Sequence, residues 1–272
     1  MKTILVATDF SDAASNAACY AADMAVAINA HLLLLHIYEI PMAYLEVPVI
    51  ANFNELDETA QSQMNKLKEE LIKRTMGNIN IASQVKTGTF FRELKTTCEN
   101  INPYVVVMGS QGTTMADHLL FGRHTIHVMK SLQWPLITVP AHLAYASIKK
   151  IGLACDMDKI AATVPVSAIK MMVNEFKAEL HVINTGDKER FAPDIISQSM
   201  LLEEKLLPMK THFHFIAHDN IDEGIIAFAE KNNIDLLIAL PKRHGIVEKL
   251  IHKSHTKQFI LYSHVPVLVL HR

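Results

Sequence analysis

Ile4-Leu5-Val6-Ala7-Thr8-Asp9 and Ile151-Gly152-Leu153-Ala154-Cys155-Asp156 share one pattern. Each is a short apolar run closed by an aspartate, the pattern of a parallel strand buried on both faces. After the first, Asp9-Phe10-Ser11-Asp12 supplies turn and N-cap chemistry, and the alanine-rich run 13–28 has helical spacing.

Outward from these runs, strand and helix alternate. Residues 32–37 read as a strand, 41–52 as a long apolar loop and 55–76 as an amphipathic helix ending near Gly77-Asn78. Residues 79–86 are strand-like, 91–99 helical and 104–108 a further strand. A helix over 125–132 and a strand over 135–140 close the series. The order then recurs. Ala30-His31-Leu32-Leu33-Leu34-Leu35 matches Ala178-Glu179-Leu180-His181-Val182-Ile183, and Pro103-Tyr104-Val105-Val106-Val107-Met108 matches Ile234-Asp235-Leu236-Leu237-Ile238-Ala239. Trp134-Pro135-Leu136-Ile137-Thr138-Val139 matches Val265-Pro266-Val267-Leu268-Val269-Leu270, with proline in register. Chance likeness between two α/β segments produces one such match, hardly four in sequence. A linker at 141–147 therefore separates a first domain, 1–141, from a second, 147–272. The expected architecture is α/β: two tandem, doubly wound domains, each a parallel sheet of right-handed βαβ units with helices on both faces. Such sheets bind ligands beyond the carboxyl ends of their strands, where strand order reverses.

Composition bounds the partners. With 26 Lys and Arg against 28 Asp and Glu, the formal net charge is -2, so nothing global draws the chain to nucleic acid or an acidic membrane surface. Cys19, Cys98 and Cys155 are isolated and make neither a disulfide framework nor a CxxC metal site, which suits a reducing compartment. The opening apolar run is too short for a signal sequence, and no apolar stretch reaches the roughly 18 residues of a membrane span. The expectation is a cytoplasmic protein with neither nucleic acid nor membrane among its partners.

Chemistry concentrates after the strand 104–108. Gly109-Ser110-Gln111-Gly112-Thr113-Thr114 is followed, with nine residues between Gly112 and Gly122, by Gly122-Arg123-His124-Thr125 at the opening of a helix. Glycine lets backbone N–H groups approach an anion without a Cβ in the way, and a helix N-terminus adds unpaired donors and a positive dipole end. Arg123, a cation in the first turn, opposes the macrodipole by about 0.3–1 kcal/mol unless a phosphate lies there to take a forked pair of hydrogen bonds. Neither GxxxxGK[ST] nor a GxGxxG after the first strand is present.

The strand ending in Asp9, the spacing of Gly109, Gly112 and Gly122, and the proline-led last strand together resemble the universal stress protein family, over the whole chain and in tandem form. The resemblance implies a five-stranded parallel sheet in the order 3-2-1-4-5, and ATP or AMP at its carboxyl edge. It implies that Asp9 lies near the adenosine and that Gly109, Gly112 and Gly122 wrap the phosphates. The family usually has Ser or Thr directly after the last glycine; here Arg123 and Thr125 are the expected substitutes as phosphate ligands. It further implies pairing of last strands between domains, 135–139 with 266–270, and room for a homo-oligomer. Leu240 and Arg243 stand in register with Gly109 and Gly112, and Pro241 lacks an N–H, so nucleotide is expected in the first domain only.

Other features read more plainly. Asp156 is expected to be a cap or turn residue. His124 and His127, like His252 and His255, share a helix face without a third ligand at diagnostic spacing, so no metal site is expected. Lys249, Lys253 and Lys257 lie four apart on a basic stretch, 242–257, that reads as a solvated face or a partner surface. No carboxylate pair or Walker-type lysine supports catalysis. The leading expectation is a non-catalytic, adenine-nucleotide-binding regulatory protein of the stress response. The alternative is a nucleotide-independent scaffold that binds a protein partner.

Overall fold

In both halves the central strands are apolar and buried on both faces, so helices must cover the sheet twice over. The computed structural model describes residues 1–39, 53–110, 122–157, 159–185, 193–241 and 255–271. The chain divides into two compact units, Met1–Tyr145 and Ala146–Arg272.

The first unit runs β1 (Thr3–Ala7), α1 (Asp12–Ala27), β2 (His31–Tyr38), α2 (Phe53–Arg74), β3 (Ile81–Thr87), α3 (Phe90–Ile101), β4 (Val105–Gly109), α4 (Gly122–Ser131) and β5 (Leu136–Val139). All pairings are parallel and the sheet order is β3-β2-β1-β4-β5. The order reverses between β1 and β4, so their carboxyl ends flank the expected ligand crevice. Helix α1 turns Ala14, Ala17, Ala18, Ala21, Ala22 and Ala25 inward. Their small side chains let its backbone lie close to the sheet, and Asn16 ties it to the carbonyls of Pro140 and Leu143, each at 3.1 Å. Helix α2 buries Ala60, Met64, Leu67 and Leu71, the one-sided stripe of an amphipathic helix. It stops at Met76 and Gly77, both left-handed (φ 52° and 72°), and β3 begins at Ile81, two residues later than the sequence pattern suggests.

The second unit repeats the plan: β6 (Lys150–Ala154), α5 (Ile160–Thr163), α6 (Val166–Phe176), β7 (Glu179–Thr185), α7 (Pro193–Leu206), β8 (Thr211–Ile216), α8 (Ile221–Lys231), β9 (Leu236–Ala239), α9 (His255–Tyr262) and β10 (Val267–Val269). Its sheet order is β8-β7-β6-β9-β10, again parallel throughout. Where the first unit has one long helix after its opening strand, the second has two, broken at Pro165, whose ring cannot continue a helix. Among the described residues, no helix is long and apolar enough to cross a membrane.

Candidate functional site

β1 and β4 are neighbours in register, Ile4 opposite Val105 and Val6 opposite Val107, so Asp9 and Gly109 leave the sheet at the same edge. Asp9 does cap work there. Its Oδ1 accepts from the Ser11 amide at 3.0 Å and the Ser11 hydroxyl at 2.6 Å. Ser11 is the N-cap of α1 and accepts from the Ala14 amide at 3.3 Å. Asp9 is exposed, and its Oδ2 is not used in this turn. One carboxylate oxygen thus fixes the start of α1, and the other is left by this turn to accept from a hydroxyl or an amine.

Gly109 serves a need the sequence does not reveal. A Cβ at this position would lie 2.8 Å from the backbone carbon and oxygen of Ala13 and 3.1 Å from the Ala14 amide nitrogen. The missing side chain makes room for the first turn of α1, not for an open cradle. Thr125, buried in the first turn of α4, donates its hydroxyl to the Gly109 carbonyl at 3.4 Å. Ser110 is buried too, its amide donating to the Val139 carbonyl at 2.8 Å. These contacts bring Gly109, Ser110 and Thr125 into one packed corner beneath the N-terminus of α4.

Gly122 and Arg123 open α4, whose first turn contains no acidic residue. Its leading N–H groups and dipole are therefore not neutralised by a carboxylate of the helix itself. Gly112 lies outside the described residues, as do the loop 41–50 and most of the basic stretch 242–257, including Lys249, Lys253 and His252. His124 and His127 lie against Phe90 and Phe91 of α3, ring centroids 4.6 and 4.5 Å apart. Among the described residues no group of three His, Cys, Asp or Glu is placed to hold a metal ion.

Three residues at this edge escaped the sequence pattern. His36 Nδ1 lies 2.8 Å from the Thr8 carbonyl and must donate to it, leaving Nε2 as the ring's acceptor when neutral. Phe10, held left-handed at φ 63°, packs its ring 4.4 Å from His36. Tyr38 stacks beyond it at 6.2 Å. The result is an aromatic shelf beside Asp9. The positive φ of a phenylalanine was invisible in sequence; the His-Ile-Tyr alternation at the end of β2 was the available signal.

A donor-rich helix start suits an anion, a half-used carboxylate a hydroxyl or amine donor, and an aromatic shelf a flat ring. Gly109 fits less well, because α1 already fills the space its missing side chain leaves.

The sequence profile of the universal stress protein family matches residues 1–140 and again 147–271. The chain belongs to the universal stress protein family. Universal stress protein Slr1230 of Synechocystis sp. is 25% identical, covering 98% of this chain and 99% of the relative. Among solved structures, a universal stress protein from Archaeoglobus fulgidus superposes with a TM-score of 0.76 at 19% identity, covering 99% of this chain and 98% of its own. A protein of unknown function from Pseudomonas aeruginosa PAO1 gives 0.62 at 14% identity, covering 100% and 92%. At these identities the structural likenesses establish the fold, an α/β universal stress arrangement in two copies.

Proposed function

We propose that this chain is a non-catalytic regulatory protein of the stress response that binds ATP or AMP at the carboxyl edge of its first unit. The observation that carries the reading is the asymmetry of that edge. In the first unit the exposed Asp9 carboxylate, the Phe10–His36–Tyr38 shelf and the acid-free start of α4 share one rim. In the second unit the residues after β9 are Leu240 and Pro241, a side chain and an imide in place of glycine and an N–H. Arg123 and Thr125 would hold phosphate through the guanidinium and the helix start, Gly112 and Gly122 through their backbone amides, and Asp9 the ribose or base. The proposed role is binding, with cytoplasmic signalling through the bound state.

Mass spectrometry of ligand extracted from the purified protein, followed by calorimetric titration with ATP and AMP, tests this. The expected result is an adenine nucleotide bound near one per chain; no binding at millimolar nucleotide overturns it. One observation favours a second reading, a scaffold that binds no nucleotide: Gly109 is accounted for by helix packing alone. That reading expects no thermal shift with ATP, ADP or AMP.

A further inference from the structure

The sequence carries 15 histidines, and the fold gathers three of them on one side of the second unit's outer edge. His181 on β7 lies opposite His212 on β8, the last strand of its sheet on that side. The ring centroids of His181 and His212 are 5.0 Å apart and nearly parallel (21°); those of His181 and His214 are 5.2 Å apart at 13°. His181 Nδ1 and His214 Nε2 are hydrogen-bonded at 3.0 Å. Phe228 of α8 closes over His214 at 4.7 Å. We propose that the His181–His214 pair, with His212 stacked beside it, is an acid-sensitive clasp that fastens edge strand β8 to β7.

A nitrogen–nitrogen hydrogen bond needs one proton between the two atoms, so one ring must present a bare nitrogen. Two imidazolium rings would put a proton on each atom and break the bond. His181 Nε2 is buried without a hydrogen-bond partner, its side chain 12% exposed. Whichever ring holds the shared proton, His181 Nε2 has no hydrogen-bond partner to stabilise a second one. Protonation at Nε2 would then place a cation where the nearest carboxylate oxygen, on Glu179, is 3.7 Å away, beyond hydrogen-bond reach.

The surrounding charges point the same way. Burial first, then His214, His212 and Lys150, push the His181 imidazole below its ordinary value of 6.5, and only Glu179 opposes them. Burial and then His212 push His214 down as well. Helix α8 brings no compensating carboxylate: Asp222 is paired with His255 at 2.7 Å, Glu223 is bound to Asn220, and Glu230 and Lys231 are exposed. In the unfolded chain these imidazoles take up protons near 6.5, in the folded chain only at lower pH. Between those values the unfolded state holds more protons, so the pair's contribution to stability is complete above 6.5 and is lost as pH falls through the folded-state values. The strand that releases is β8, whose inner neighbour is β7 alone.

Two measurements on the full chain test the clasp. In an NMR titration of the wild type, His181 and His214 should titrate below 6.5 and in a coupled fashion. Hydrogen exchange, expressed as protection over intrinsic rates, should show residues 211–216 losing protection in that range. His214→Phe, which keeps a ring against Phe228 and removes the proton site, should flatten that loss. Titration of both rings at or above 6.5, or an identical acid loss in the folded His214→Phe chain, would overturn the proposal. So would a gain of β8 protection on adding Zn2+ alone, which would reassign the cluster to metal binding.

Discussion

After the first strand of the first unit, His36 donates to the carbonyl of Thr8 at 2.8 Å; at the same place in the second, Asn184 donates to the carbonyl of Cys155 at 2.9 Å. The amide that precedes each turn is also treated alike, Thr8 donating to Leu35 and Cys155 to Ile183. The residue after each aspartate is left-handed, Phe10 at φ 63° and Met157 at 56°. The frame of the turn has thus been kept in both copies while its furnishings diverged. Phe10 lies against an imidazole beside a capping aspartate, whereas Met157 is buried. Ser11 caps α1 with its side chain, but Lys159 gives α5 none, and the Ile160 amide is met instead by Gln198 of α7 at 2.9 Å. The hydrogen bonds that hold the turn are common to both copies, whereas the side chains around it differ.

The comparison can be broken most forcefully at Gly109. Gly109→Val drives side-chain carbons into the Ala13 backbone and should destabilise the first unit by about 3 kcal/mol in denaturant unfolding, the upper end for overpacking. Leu240→Gly, the matching change in the second unit, should not create a nucleotide site, because Pro241 remains. Unchanged stability in Gly109→Val would mean that α1 does not need that glycine.

The paired carbonyl contacts come next. Asn184 is buried, so Asn184→Leu removes a buried hydrogen bond to the Cys155 carbonyl and should cost about 2 kcal/mol. His36 is half-exposed, so water can replace it and His36→Phe should cost about 1 kcal/mol. Equal losses would contradict the assignment of one buried and one hydrated contact. Ser11→Ala should cost about 1 kcal/mol by removing the side-chain cap of α1.

The smallest effect concerns helix ends. Asn29 (φ 50°) and Lys177 (φ 51°) hold the same left-handed position after the first long helix of each unit. Asparagine tolerates that region better than lysine, so Lys177→Asn should stabilise the second unit by about 0.5 kcal/mol in thermal unfolding. A loss would show that the lysine makes a compensating contact.

Much of this architecture could be read from the residues. The apolar runs closed by Asp9 and Asp156 and the prolines before β5 and β10 fall where the repeat places them, because buried parallel strands leave a strong mark on sequence. The candidate site was legible only in part. Asp9 could be singled out, but its division between capping and outward display depends on the Ser11 rotamer. Gly109 was marked as special, yet sequence cannot say whether ligand or helix fills the space. The His181–His214 pair was present as alternation in Thr211-His212-Phe213-His214, but its meaning needs the β7–β8 register, which joins residues 33 apart.

The central claim is that nucleotide binds at the carboxyl edge of the first unit and not the second. Amide chemical-shift mapping of the full chain during titration with AMP and ATP tests it most directly. The expected shifts centre on Asp9, Phe10, Ser110 and Thr125, with Asp156 and Leu240 unmoved. Shifts centred on Asp156 and Leu240, or none anywhere at millimolar nucleotide, would contradict it.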